Sequence, residues 1–539
     1  MRKITTLLTL ALTAVFAAPS EENPLLKGIL IVENSSKIQE GRDLEGVQFD
    51  GALPSQELVE RLTPFLLKLP LTANGAEPLC SAIASYYQEK GDLRMSVRAP
   101  EQDTSQGVVQ LVLEPEKLGK IHVKNVAPSE EEFLKKQIRA TENGPINEKL
   151  IAQDLGWLNA NPYRTVKVSY QDTDRPGVVD MDLQVTEKKN WKVSTGVQNN
   201  GNDPIGINRA FAKLDVNHFI FQDHTLKFKT TTVQHFKDFQ SYSLDYTAPL
   251  PWRNTLYLSG SYASTTPNRE PYPHRQRENY TATLRYAIPQ WFSKGAWLDQ
   301  LTYEVGGEFK GTNTNLFFQD DPAPVEKKLS FISQLVTSLK ASGKWASTQA
   351  KATLSLIGSL GEILPHQTAA DFDNLRQGAT PQYFYSKLQM NLDQNLFQSW
   401  KVALQARAQF ALSNLVPSEQ FSLGGEKTIR GYDEKVVKGD HALCANLELK
   451  SPGIPLAGWI ASGVNDQLQL LGFIDAGYGI YREKVAELPL YQSLLGVGPG
   501  VRYSIGSYFS GKVDVGFPLL QVEKSSQTPH VHFSAVLSY

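Results

Sequence analysis

The feature that most constrains this chain is the period of its second half. From Trp191 onward, short stretches alternate apolar and polar residues, as in "TLYLSGSYAS", "NYTATLRYAIP", "KATLSLIGSL" and "VALQARAQFAL". Clusters of Gly, Pro, Asn and Asp separate them, and helical spacing disappears. Turn-punctuated sequence of period two makes antiparallel sheet with one apolar and one polar face. The span to Tyr539 leaves room for about 16 strands of the roughly 9–11 residues that a membrane-crossing strand needs. A sheet this long must protect its edges, and closure into a barrel removes them.

A soluble sandwich would share the pattern, and three features choose the membrane. Arg2 and Lys3 precede an apolar run from Ile4 to Val15, followed by Ala17, Ala18 and a polar break from Pro19 to Asn23. That order is a signal peptide over residues 1–18, since the run is shorter than the roughly 20 residues of a spanning helix. Aromatics gather near strand ends in "APLPW", "IPQWF" and "QSW", where the girdles of a membrane barrel lie. The last strand puts Val531, Phe533, Ala535, Leu537 and Tyr539 on one face and His532, Ser534 and Ser538 on the other. The composition agrees: 24 Phe, 21 Tyr and 39 Gly accompany a mean hydropathy of −0.31, which suits one-sided strands and not apolar helices.

Several function classes recede. Lys and Arg total 54 against 56 Asp and Glu, a net charge of −2 that gives no footing for nucleic acid. Cys80 and Cys444 fall in different regions and in no metal-ligand spacing. Neither H-E-x-x-H nor G-x-S-x-G occurs, and "GVGPGV" (496–501) carries Pro499 with no helix after it, so it reads as a strand bend. His530 and His532 share a strand face, a spacing that could hold a metal but more often does not. We expect no enzyme, cofactor or metal.

Before Trp191 the pattern mixes helix and strand. "LEGVQFDGA" is a strand, "SQELVERLTPFLLKL" a helix capped by Ser55, "CSAIASYYQEKG" a second helix, and "LRMSVRA" and "GVVQLVLEP" two strands. The order repeats in "GKIHVKNV", in a helix "SEEEFLKKQIRA" opened by a capping box of Ser129 with Glu132, in "NEKLIAQDLGWLNANP", and in "RTVKVSYQ" and "GVVDMDLQVTE". The expected organisation is a signal peptide (1–18), an N-terminal segment (19–43), two small α+β domains (44–116 and 117–189) and a barrel (190–539). Each small domain is long enough for one modest core.

Two stretches of the barrel carry chemistry. In "LQLLGFIDAGYG" the alternation puts Asp475 opposite Leu470 and Ile474, and an ionised carboxylate must face the lumen and not lipid. The connection 414–439 holds "SLGGEKTIRGYDE", is long for a loop without function, and can fold inward. Gly424, Gly425 and Gly431 permit a tight backbone, and the Arg430 fork suits a carboxylate such as Asp475.

Here the sequence resembles a known group. "TIRGY", with Ile429, Arg430, Gly431 and Tyr432, looks like the loop signature of the polypeptide-transporting barrel superfamily. "GFIDAG", with Phe473, Asp475 and Gly477, resembles its strand motif, whose Asp binds the loop Arg. The paired small domains resemble POTRA domains. "LNANPYRTVKVSY", with Leu158, Asn159, Asn161, Pro162 and Arg164, is similar to the second POTRA domain of two-partner secretion transporters (the TpsB family of hemolysin secretion/activation proteins). The resemblance implies periplasmic α+β POTRA domains followed by a transmembrane antiparallel β-barrel in the outer membrane of a Gram-negative bacterium. It implies a secreted polypeptide cargo, of the large β-helical exoprotein kind, captured at the POTRA domains and exported through the barrel. The exposed strand with Val166, Val168 and Tyr170 is the candidate edge for β-augmentation by the cargo. Outer-membrane lipid and, during biogenesis, the barrel-assembly machinery are the other expected partners of a monomer. "NPLLKGILIVENSSK" reads as strand and departs from members that carry a pore-plugging helix there. An outer-membrane assembly factor and a porin with periplasmic binding modules are the alternatives. The first is better known with more POTRA units, and the second has no need of the R-G-Y loop.

Overall fold

The computed structural model describes residues 24–539 except 51–54, 70, 72–75, 91–92, 203–204, 267–273, 293–296, 318–323, 325, 458–463, 484–488 and 524. The expected signal peptide lies outside the described residues. The chain divides into two compact units, one running to Asn159 and adding Thr165–Thr186, the other comprising Ala160–Arg164 and Glu187–Tyr539.

The first unit holds two α/β domains. In the first, β1 (Gly28–Val32), β2 (Gly46–Asp50), α1 (Gln56–Leu62), α2 (Glu77–Lys90), β3 (Met95–Arg98) and β4 (Val108–Pro115) form a sheet of order β2-β1-β4-β3 under two helices. Ser55 caps α1 by accepting from the Leu58 amide at 3.2 Å, which orients Leu58 and Leu62 toward Leu79 and Ile83 of α2. Those four pack on Ile29, Ile31, Val109 and Leu111, each buried side chain contributing about 1.5–3 kcal/mol.

The expected start of this domain at Leu44 is corrected. Strand β1 lies inside the sheet, paired in parallel with both β2 and β4. Its second face, with Leu30 and Val32, is covered by Leu44 and Ile38. "GILIV" is continuously apolar, not alternating, because both faces are buried. The domain therefore reaches back to at least Gly28, with one more leading strand than its sequel.

The second domain has β5 (Lys117–Lys124), α3 (Pro128–Lys136), α4 (Glu148–Leu158), β6 (Arg164–Asp172) and β7 (Val178–Glu187), with sheet order β5-β7-β6. The capping box expected at Ser129 does not form. The N-cap is Ala127, with Pro128 in the first turn and no side-chain cap. Proline has its backbone angle preset for that position and lacks an N–H that would be unpaired there anyway, so the N-cap lies two residues earlier than expected.

In the second unit sixteen strands close into an antiparallel barrel, as expected. Closure pairs His530–Ser538 with Trp191–Gln198, from Ser534 opposite Gln198 to Ser538 opposite Ser194. Val193 and Tyr539 exchange backbone hydrogen bonds of 3.1 and 2.8 Å beside that seam. Leu258, Leu284, Leu339, Leu388, Leu447 and Ile474 stand exposed on the outer face, where hydrocarbon and not water is the solvent. Trp252, Phe397 and Tyr508 are exposed in the turns at one end, with Trp191 and Tyr539 at strand ends beside them, the girdle position of a membrane barrel.

Candidate functional site: a loop held inside the barrel

The loop links the strands Lys401–Ala411 and His441–Lys450, two residues longer at its start and one at its end than the expected 414–439. Phe421–Leu423 and Val437–Gly439 pair to form its neck. Beyond the neck the backbone turns at Gly424 (φ +103°) and Gly425 (φ +94°), and again at Gly431 (φ +96°). L-residues rarely take those angles, and a Cβ on Gly424 would also strike the Asp433 carbonyl.

These turns carry Arg430 to the inner wall. Its Nε and Nη2 donate to Asp475 Oδ2 and Oδ1 at 2.7 and 2.8 Å, and its backbone N–H donates to Oδ2 at 3.1 Å. Nη1 donates to Glu448 at 2.7 Å and reaches Asp514 at 3.4 Å. The guanidinium also lies over the Phe473 ring, 3.5 Å from its centroid, a cation–π contact on a face where water is excluded. Arg502 shares the surplus negative charge by donating to both Asp514 oxygens at 2.6 and 2.9 Å, and Lys450 meets Glu448 at 3.0 Å. Asp475 is fully buried, so the pair is a charge-assisted clasp in a dry site.

The wall is shaped to receive the loop. A Cβ at Gly477 would meet Ile429, one at Gly496 the Arg430 carbonyl, and one at Gly516 the Gly431 backbone. The run 496–501, read from sequence as a strand bend, therefore includes a seat for the loop tip. Buried Tyr432 fixes the next position. Its hydroxyl sits 3.0 and 2.9 Å from the Leu495 and Leu520 carbonyls and accepts from their amides at 3.2 and 3.0 Å. His532 Nε2 accepts from the Gly431 amide at 3.4 Å, and His530 lies 3.1 Å from Asp433, so this histidine pair serves the loop.

Two further anchors hold the loop's root. Arg376 forks onto buried Asp440 at 2.5 and 2.7 Å and donates to the Leu415 carbonyl at 2.7 Å. Buried Glu419 accepts from Lys310 at 2.9 and 3.0 Å, from Tyr385 at 2.7 Å and from Gln334 at 3.2 Å. Sequence reasoning missed Glu448, Asp514, Glu419 and Asp440. Glu448 and Asp514 share the inward parity of Asp475 in "CANLELK" and "KVDVG", a signal available in the alternation.

The L-N-x-N-P-x-R run divides between the two units. Leu158 is buried in the core of the second α/β domain, and Asn159 brackets Val166 with hydrogen bonds of 3.0 and 2.7 Å. In the barrel unit, Arg164 forks onto Asp223 at 2.8 and 2.5 Å, Asn161 donates to the same carboxylate at 2.9 Å, and the Pro162 carbonyl accepts from Lys188 at 3.1 Å. The candidate edge strand β6 does lie at the end of its sheet, but Val166, Val168 and Tyr170 face the domain core. Arg94 stacks on the Tyr170 ring at 4.5 Å, and burial, then the Glu148 carboxylate, push that hydroxyl above its usual range. What β6 offers outward is backbone, with exposed Thr165, Lys167 and Gln171.

A closed sixteen-stranded barrel, a loop arginine clasped to an aspartate of its inner wall, and two α/β domains ahead of it define the class: an outer-membrane polypeptide transporter of the POTRA-plus-barrel kind. The family model described as haemolysin secretion/activation protein ShlB/FhaC/HecB matches residues 177–503, and the chain belongs to that family. Its members are two-partner secretion transporters, which export a secreted partner protein across the outer membrane of Gram-negative bacteria. The chain is 23% identical over 462 residues to the outer membrane transporter CdiB of Dickeya dadantii, covering 81% of this chain and 75% of that one. It is 21% identical over 466 residues to the heme/hemopexin transporter protein HuxB of Haemophilus influenzae, covering 82% and 77%. Among solved structures it superposes on CdiB from Escherichia coli with a TM-score of 0.71 at 16% identity, covering 99% of this chain and 93% of that one.

Proposed function

We propose that the two α/β domains act as the POTRA domains of this transporter, the first from about Gly28 to Glu116 and the second from Lys117 to Lys189. They take up one unfolded secreted partner in the periplasm and hand it to the barrel. The cargo is an extended chain, in keeping with an exoprotein that folds into a long β-helix only outside the cell. The free edge of β6 would pair with its backbone, a mode that tolerates many sequences because main-chain hydrogen bonds supply the affinity. Arg430, Asp475 and the glycine-seated tip keep the lumen obstructed between export events. The protein works as a monomer seated in outer-membrane lipid, placed there by the barrel-assembly machinery.

The observation that carries this reading is the Arg430–Asp475 clasp inside the barrel, since a diffusion pore gains nothing from a loop so held. The test is deletion of the gene and measurement of the partner protein in the medium. The partner should be lost from the medium and recovered when the chain is restored. Undiminished secretion with only small-solute uptake impaired would overturn the reading.

A further inference from the structure

The loop 361–381 joins the strands Thr348–Leu360 and Gln382–Asn395 at the end of the barrel opposite Trp191 and Tyr539, the exit side. Its helix Ala369–Leu375 is opened by a capping box, in which Thr368 accepts from the Asp371 amide at 3.2 Å and Asp371 from the Thr368 amide at 3.1 Å. The helix carries Phe372 to the inner wall, where the ring is fully buried.

Strand parity shows that the surface receiving this ring belongs to the lumen. Leu335, Leu356, Phe384 and Phe410 are exposed on the outer face. Their neighbours of opposite parity, Val336, Ile357, Tyr385 and Ala411, pair in register across four adjacent strands and face inward. Ile332 and Tyr383 extend that row, and all six are buried with Phe372 in one apolar cluster, which Leu415 and Val416 of the inward loop complete. The Phe372 and Tyr383 ring centroids lie 6.4 Å apart. The Tyr383 and Tyr385 hydroxyls donate to Gln334 and Glu419 at 2.7 Å each, which fixes their rings as walls of the seat. Further down the same strands the inner wall is polar. Gln389, Gln405 and Arg407 share the inward parity and line a lumenal cavity, as suits a barrel that carries water. An apolar seat is the exception there, and left bare it would expose its surface to that water.

The helix is latched but removable. Past its end, Arg376 forks onto Asp440. Asp440 also accepts from the Leu415 and Arg482 amides at 3.0 and 2.9 Å, so withdrawal of Arg376 does not strand the carboxylate.

We propose that this seat is a binding site for large apolar side chains of the emerging polypeptide, and that Phe372 is its resident occupant. Phe372 keeps the exit closed until a side chain of the cargo displaces it. Exchanging one buried ring for another keeps the seat covered, so opening does not require the apolar wall to meet water. The inference rests on the export reading, which supplies the incoming chain, but it can fail separately from it.

The test uses the purified full-length protein in detergent, with heat-modifiable gel migration confirming the barrel. Burial of such a ring shifts an equilibrium by roughly 10- to 100-fold. Phe372→Ser should therefore speed trypsin cleavage after Arg376 by about that factor, whereas Phe372→Leu, which refills the seat, should stay close to wild type. A labelled octapeptide alternating Ser and Phe should bind Phe372→Ser about tenfold more tightly than wild type in fluorescence anisotropy, because the resident ring no longer competes. Octaserine should gain nothing. Adding Val336→Thr and Ile357→Thr, which keep the branched shape but not the apolar surface, should cancel the gain. Unchanged cleavage in Phe372→Ser, equal binding of the two peptides, or binding indifferent to the threonine pair would each overturn the proposal. Peptide binding needs no cargo, so undiminished secretion from cells lacking the protein, with these results intact, would count against the export reading alone.

Discussion

Replacing Arg430 by Met tests the clasp most directly. Methionine keeps an unbranched stem over Phe473 but removes the donors that meet Asp475 at 2.7 and 2.8 Å and Glu448 at 2.7 Å. It leaves Asp475 fully buried with the residue 430 backbone N–H still donating. Removing one partner of a buried pair costs about 3–5 kcal/mol, so docking of the tip should weaken by roughly 10²–10³·⁵-fold. Arg430→Lys retains the charge but not the fork and should lose about 1.5–3 kcal/mol, the worth of a charge-assisted bond. Asp475→Asn combined with Arg430→Met should cost less than the two single changes added, because the uncompensated charge is then gone. The assay is the rate of protease cleavage between Gly424 and Tyr432 in purified protein, with heat-modifiable gel migration confirming an intact barrel. Wild-type protection in the Met variant, with the barrel folded, would refute the claim that Arg430 holds the loop.

Three further outcomes follow from the same geometry. Tyr432→Phe strands amides and carbonyls of Leu495 and Leu520, and tip protection should fall by an amount equivalent to about 1–3 kcal/mol in the same cleavage assay. Gly496→Val puts a branched side chain where the Arg430 carbonyl lies, so it should expel the tip and raise single-channel conductance in planar bilayers, while Val at half-buried Gly307, where a Cβ meets nothing, should not. Asp223→Ala leaves the Arg164 guanidinium, 4% exposed, without its carboxylate, at a cost of about 3–5 kcal/mol. Differential scanning calorimetry should show a lower unfolding temperature, and an unaltered transition would count against the pair as a structural tie.

The barrel was legible because period two is enforced residue by residue: lipid on one side and water on the other leave each strand one register. Asp475 could be assigned inward on that ground alone. The first α/β domain was harder. Strand β1 is buried on both faces, so it shows no alternation, and its parallel partners β2 and β4 lie 18 and 80 residues further along the chain. Local pattern therefore could not assign it to the domain. Ser129 misled because a capping box competes with a proline one position earlier, and the two cannot be ranked without the chain direction entering the helix. The glycine seats at 496 and 516 were invisible for another reason: they matter through what approaches them, and that partner is more than 60 residues distant for the first and more than 80 for the second.

The anchors are not equivalent, and their arrangement says which part of the loop can move. The root is tied through Glu419 and Asp440 to Lys310, Gln334, Tyr385 and Arg376. The tip is tied to the opposite stretch of sequence, strands carrying Glu448, Asp475, Leu495 and Asp514. Releasing everything at once would break three buried ionic clusters and the Tyr432 hub. Releasing the tip alone breaks the Arg430 clasp and the Tyr432 bonds, while the neck hairpin and its two carboxylate anchors stay in place. Gly424 and Gly425 lie between neck and tip, where the backbone has most freedom to pivot. The carboxylates left on the wall need not stay bare, since Arg502 and Lys450 already share Asp514 and Glu448. Asp475 alone depends on Arg430, which makes it the residue whose charge decides whether the open state is tolerable.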